Sequence, residues 1–87
     1  MPTVFIPPSL RRHTDGVDRI QMSETTVREI IAALEERFPG IRQRLCDGDH
    51  LRPGLAVAVD SRISDLGLLE QVGDAKEVHF VAAVGGG

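Results

Sequence analysis

Val27, Ile30, Ile31, Leu34 and Phe38 recur at three- and four-residue spacing, the period that gathers side chains into one stripe of an α-helix. Thr25 or Thr26 opens this helix, and Thr26 with Glu29 three residues on matches a capping box. Pro39-Gly40 closes it, because the residue before a proline is driven away from helical geometry. The other apolar runs are shorter and follow a different rhythm. Thr3-Val4-Phe5-Ile6 is β-rich and stops at Pro7-Pro8, which have no N–H to give a strand ladder. Arg19-Ile20-Gln21-Met22 alternates polar and apolar residues and is expected to pair with the first run as a hairpin. Between them, Ser9 to Val17 reads as a polar loop with a turn at Asp15-Gly16.

Beyond the helix, Ile41 to Leu45 predicts one more helical turn, and Asp47-Gly48-Asp49 begins a turn that extends through Pro53-Gly54. Leu55-Ala56-Val57-Ala58-Val59 is the most continuous apolar strand, a pattern that predicts a central position buried on both faces. Asp60-Ser61-Arg62 turns it toward a brief strand at Ile63. Leu66, Leu68 and Leu69 are expected to plug the core from a short irregular helix, and Gly73-Asp74 turns the chain into a last strand, Glu77 to Val84. Apart from the terminal glycines there is no repeat or low-complexity segment. The order is strand, strand, helix, strand, short strand, strand. It predicts the α+β class and a β-grasp, a mixed sheet wrapped around one main helix with the last strand inside the sheet. Residues 1–84 would form the domain and residues 85–87 a flexible tail. Side chains of a strand alternate faces. Val78, Phe80, Ala82 and Val84 therefore share one side, marked as the core side by Phe80, and His79, Val81 and Ala83 fall on the other, where His79 and Val81 with part of the strand Leu55 to Val59 form a candidate partner-facing patch.

Composition narrows the function classes. With 87 residues the chain is one domain. A chain of this size buries roughly 60–68% of its unfolded surface, too little for a deep enclosed active site. With three Phe and no Trp or Tyr, an aromatic content of 3% leaves the stacking platforms that single-stranded nucleic acid needs nearly absent. The net charge of −3 and scattered basic residues, with Arg11-Arg12 the only adjacent pair, argue against a nucleic-acid partner. A mildly acidic surface suits a basic patch on another protein. Cys46 is the only cysteine, so an internal disulfide and a cysteine-based metal cluster are excluded. No apolar run approaches the ~20 residues needed to span a bilayer, and Met1-Pro2-Thr3 lacks the features of a signal peptide. The cytoplasm is the expected compartment, and no membrane partner is expected.

Other candidate chemistry is thin. His13, His50 and His79 are dispersed and read as surface or turn residues, and Asp47-Gly48-Asp49-His50 has too few carboxylates for a calcium loop. No metal site is expected. Cys46 reads as a small buried residue, with a redox or sulfur-accepting thiol as the alternative. Lys76, the only lysine, reads as a solvated turn residue, with an isopeptide acceptor as the alternative. The terminal Gly85-Gly86-Gly87 is the distinctive element. Without a Cβ such residues can thread a narrow channel and offer an unhindered carboxylate to a reactive phosphate. A frayed terminus is the plain alternative.

Three stretches together resemble the MoaD/ThiS family of ubiquitin-like sulfur carriers, and they span nearly the whole chain. They are Ile6-Pro7 with Leu10-Arg11, His13-Thr14 and Gly16; Thr26-Val27 through Phe38-Pro39-Gly40-Ile41; and Gly73-Asp74, Val78, Phe80 and Ala83-Val84 leading into Gly86-Gly87. The opening loop is most similar to carriers that feed cysteine biosynthesis. Two positions depart from the family pattern: Ala82 stands where proline is frequent, and Gly85 stands where alanine or another small residue is usual. The extra glycine leaves open whether Gly87 or a trimmed Gly86 carries the reacting carboxylate. The resemblance implies a protein co-substrate rather than an enzyme, with no bound cofactor. An E1-like adenylyltransferase/sulfurtransferase would use ATP to adenylate Gly87. Sulfur would then displace AMP to give a thiocarboxylate, which a sulfur-accepting biosynthetic enzyme consumes. Cysteine, molybdopterin, thiamine and related thio-metabolites remain open as destinations. So do two alternative readings: a ubiquitin-like modifier joined to target lysines, and a β-grasp interaction module with an inert tail.

Overall fold

The main helix, α1 (Val27–Arg37), begins where the capping box places it. The Thr26 hydroxyl accepts from the Glu29 N–H at 3.2 Å, and the Glu29 carboxylate accepts from the Thr26 N–H at 3.1 Å. Two of the N–H groups that a helix start leaves without partners are thereby satisfied. Val27, Ile30, Ile31 and Leu34 are buried along one side. Phe38 caps the other end, its N–H donating to the Leu34 carbonyl at 2.7 Å, and Gly40 takes a φ of 102° that favours glycine. The short helix α2 (Ile41–Leu45) follows. Its start is tied back to α1 by the Glu35 carboxylate, which accepts from the Gly40 N–H at 3.0 Å and the Arg42 N–H at 2.8 Å.

A computed structural model of the chain describes residues 1–82. Five strands form one sheet: β1 (Thr3–Phe5), β2 (Arg19–Gln21), β5 (Leu55–Val59), β6 (Arg62–Ile63) and β7 (Glu77–Ala82). Their order is β2-β1-β7-β5-β6. β1 and β7 run parallel, and the other neighbours are antiparallel, so the sheet is mixed. β3 (Cys46–Asp47) and β4 (His50–Leu51) make a separate small hairpin. The β1–β2 hairpin forms with Val4 opposite Ile20. One sheet face and α1 enclose the core: Val4, Ile20, Val57, Val59, Val78 and Phe80 meet the helix stripe, with Ile41, Leu45, Leu68 and Val72 closing the ends. This is the ubiquitin-like β-grasp that the element order predicts.

Several local expectations change. Most of the polar loop after Pro7 is a 3₁₀ segment, Pro8–Thr14. Proline pre-sets the first turn, the Leu10 N–H donates to the Pro7 carbonyl at 2.9 Å, and Thr14 is fully buried with its hydroxyl between the carbonyls of Arg11 and Val17. Part of the Asp47–Gly54 turn is the β3–β4 hairpin. β5 is interior but not central, and β7 holds the middle of the sheet. The apolar run in β5 reflects neighbours on both edges, and the small Ala56 and Ala58 occupy its outer face. Leu66 and Leu69 do not plug the core. They are 57% and 65% exposed, and Leu68 alone enters it. The 3₁₀ segment Gly67–Leu69 turns once every three residues, so only one side chain of the three points inward.

Candidate functional site

The final strand delivers its end from the middle of the sheet. β1 flanks it on one side with Phe5 opposite His79, and β5 on the other with Leu55 opposite Ala82. Val78 and Phe80 are buried beneath it, as the alternation predicts, whereas Ala82 is exposed because the strand outruns the core there. His79 and Val81 lie on the outer face, both half-buried. Gly85, Gly86 and Gly87, with Ala83 and Val84, lie outside the described residues.

Around His79 and Val81 the outer face carries a row of neighbours. The imidazole of His79 stacks on Phe5 with ring centroids 4.1 Å apart and planes within 5°. Arg19 covers the other part of this pair, its guanidinium carbon 5.1 Å from the Phe5 centroid. Glu77 meets His79 at 2.9 Å, fixing the ring along the strand. Ala56 lies opposite Val81, and Ala58 lies between His79 and Ile63, which is 56% exposed. The result is a shallow strip of apolar and aromatic surface with a charged margin, beside the strand that leads into the glycines. Phe5, Ala56 and Ile63 belong to it although sequence reasoning did not single them out. The signal was present for Phe5: Val4 and Ile6 are core residues, so the residue between them must face outward.

The remaining candidates separate. His13, His50 and His79 sit on different elements, and no group of three or more metal-ligating side chains is found among the described residues. Cys46 is buried, and burial pushes its thiol pKa up against the opposing charges of Arg42 and Arg28. Lys76 is exposed at the entry to β7, where its backbone N–H and that of Glu77 donate to the Asp60 carboxylate at 2.9 and 2.8 Å. These two bonds, that from Glu77 first, hold the Asp60 pKa below its ordinary value. No helix among the described residues is long and apolar enough to cross a membrane. Surface depressions such as that of Glu35, Gly40, Arg42, Gln43, Cys46 and Gly48 are open rather than enclosed.

The chain that folds into this small mixed sheet around one helix matches the model of the ThiS family over residues 5–87. The chain belongs to the ThiS family. Among curated relatives it is 35% identical to the sulfur carrier protein CysO of Mycobacterium tuberculosis, covering 98% of this chain and 97% of that one. Among solved structures it superposes on the crystal structure of the Amycolatopsis orientalis BexX/CysO complex with a TM-score of 0.86, 35% identity and full coverage of both chains. It also resembles the M. tuberculosis CysO crystal structure, with a TM-score of 0.83, 30% identity, and coverage of 97% of this chain and 100% of that one. The match to the ThiS family reaches the last residue, so the terminal glycines fall within the aligned part of the fold family rather than beyond it.

Proposed function

We propose that this chain is a sulfur carrier protein, a co-substrate rather than an enzyme, that works in cysteine biosynthesis. The observation that carries this reading is the full-length similarity to CysO, which includes the strand leading into the glycines. Gly87 supplies the reacting carboxylate, and Gly85 and Gly86 form the approach to it. A carboxylate oxygen is a poor leaving group, so an E1-like partner first transfers AMP from ATP onto it, releasing pyrophosphate. Sulfide-level sulfur then attacks the acyl carbon and expels AMP, leaving a thiocarboxylate. A sulfur-accepting biosynthetic enzyme takes that sulfur, and water replaces it at the acyl carbon, breaking the C–S bond and regenerating the carboxylate. ATP serves the partner; the carrier holds no cofactor of its own. Because the activation consumes ATP, the cytoplasm is its place.

His79 and Val81 fit a docking role. They belong to the apolar strip beside β7, so a partner that grips the strip holds the strand whose continuation it must thread. The decisive test is the intact mass of the chain after incubation with activating enzyme, ATP and sulfide. The expected product is heavier by one oxygen-to-sulfur exchange, and a chain lacking Gly86-Gly87 gives none while melting at the wild-type temperature, since chain ends add little packing. A large lysine-linked adduct instead would make the protein a modifier. Conversion of the truncated chain would remove Gly87 from the mechanism.

A further inference from the structure

The fold gathers arginines that the sequence keeps far apart. The 3₁₀ segment Pro8–Thr14 begins just after β1 ends, at the same end of the sheet where β7 reaches Ala82. It carries Arg11, Arg12 and His13. α2 packs beside that segment and presents Arg44, and a shallow groove lined by Leu10, Gln43, Arg44 and Arg52 joins the two. Arg52 is fixed there by two bonds: its Nε donates to the Gln43 carbonyl at 3.0 Å, and its backbone N–H to the Leu45 carbonyl at 2.9 Å. Three residues later Leu55 stands opposite Ala82. Four of the ten basic residues of a chain with net charge −3 thus rim the end of the sheet from which the last five residues depart. Arg12, Arg44 and Arg52 are exposed and Arg11 is half-buried. Among the described residues none of the four has a carboxylate in salt-bridge contact; Asp18, on the approach to β2, is paired with Arg19 at 3.6 Å, and Asp15 closes the 3₁₀ segment. The positive field is felt locally: partial desolvation, then the charges of Arg44 and Arg12, lower the pKa of His13. The opposite end of the sheet has three carboxylates, Asp60, Asp74 and Glu77, around the start of β7, against the two neighbouring cations Lys76 and Arg62.

We infer that Arg11, Arg12, Arg44 and Arg52 form an electrostatic guide that seats the tail-bearing end of this carrier on an acidic rim around the entry channel of its E1-like activating enzyme. The inference rests on the sulfur-carrier reading. Its physical basis is the charge separation along β7. A molecule whose positive pole coincides with the departure point of its reactive end is turned end-on by a negative partner before contact. Such steering raises association rates and weakens with salt, because exposed charges are screened over about 8 Å at physiological ionic strength.

The test is stopped-flow association of the full-length chain with a purified E1-like adenylyltransferase from the same cells, at low and high salt. R12E/R44E is expected to slow association about tenfold or more at low salt, with the gap closing at high salt and the dissociation rate little changed. R12K/R44K and the equal charge reversal R28E/K76E, placed elsewhere, should associate like wild type. Circular dichroism melts verify that each variant folds, and R12A/R44A serves in place of the reversal if that variant does not. Wild-type-like association of R12E/R44E, an equal slowing by R28E/K76E, or a salt-independent loss confined to dissociation would overturn the inference. If wild type yields no AMP or thiocarboxylate yet its association still depends on Arg12 and Arg44, the carrier reading fails and the guide stands. If the tail is converted normally in R12E/R44E at the wild-type association rate, the reverse holds. No association by wild type overturns both.

Discussion

Leu34 and Leu66 make a matched pair for testing how this small core holds. Leu34 is fully buried at the centre of the α1 stripe, whereas Leu66 is 57% exposed beside the 3₁₀ segment Gly67–Leu69. Leu34→Ala removes three buried carbons, about 2.4 kcal/mol of transfer free energy at roughly 0.8 kcal/mol per methylene. The cavity left behind adds to this, because α1 is braced by its capping box and by Glu35 and cannot fully collapse onto the sheet. A total of about 3–4 kcal/mol follows, within the measured span for buried leucines. A domain of this size has about 4–13 kcal/mol in all, so the variant loses a quarter or more of its stability. Its melting temperature should fall by about 12 °C or more, at roughly 4–8 °C per kcal/mol. Leu66→Ala should stay within about 0.5 kcal/mol of wild type. Urea titration followed by circular dichroism measures both, with unchanged m-values required for the comparison. Equal losses in the two variants, or a loss at Leu34 below about 1 kcal/mol, would refute the packing described here.

Val81→Asp should leave the melting temperature close to wild type yet weaken binding to the activating enzyme, read by titration calorimetry; unfolding would instead mean that the strand faces are reversed. Thr26→Ala should cost about 1 kcal/mol in denaturant titrations, since it removes the hydroxyl side of the capping box. Stability should also fall in acid. Glu70 is held below its ordinary pKa first by the Ser64 hydrogen bond and then by Arg62, against the opposing cost of burial, and Asp60 by the N–H groups of Glu77 and Lys76. A carboxylate with a lowered folded pKa leaves the unfolded chain binding more protons. Its contribution is therefore complete above the ordinary carboxylate range and lost as pH falls through the folded value. Urea midpoints measured from neutral pH downward should decline through that range, and Glu70→Gln should flatten the decline; a midpoint indifferent to acid would contradict the assigned hydrogen bonds.

Sequence alone determined whatever depends on neighbours along the chain. The α1 stripe, its Thr26–Glu29 start and its stop before Pro39 are local, because helix periodicity and capping act within a few residues. The alternation of β7 likewise assigned Val78 and Phe80 to the core and His79 and Val81 to the outer face. The order of elements sufficed for the β-grasp, and the terminal glycines pointed to the chemistry. Tertiary structure decided what depends on pairing between distant segments. β5 reads as the central strand, yet β7 takes the middle of the sheet, because apolar content reports burial and not strand order. Leu66, Leu68 and Leu69 are equally apolar, and only the orientation of one 3₁₀ turn selects Leu68 for the core. Alternation along β1 already turns Phe5 outward, but that it stacks on His79 depends on the parallel pairing of β1 with β7. The arginines at 11, 12, 44 and 52 look scattered along the chain. They converge because β1 and β7 end side by side and α2 packs against the segment that follows β1, so a charge pattern without any sequence signature becomes one pole of the molecule.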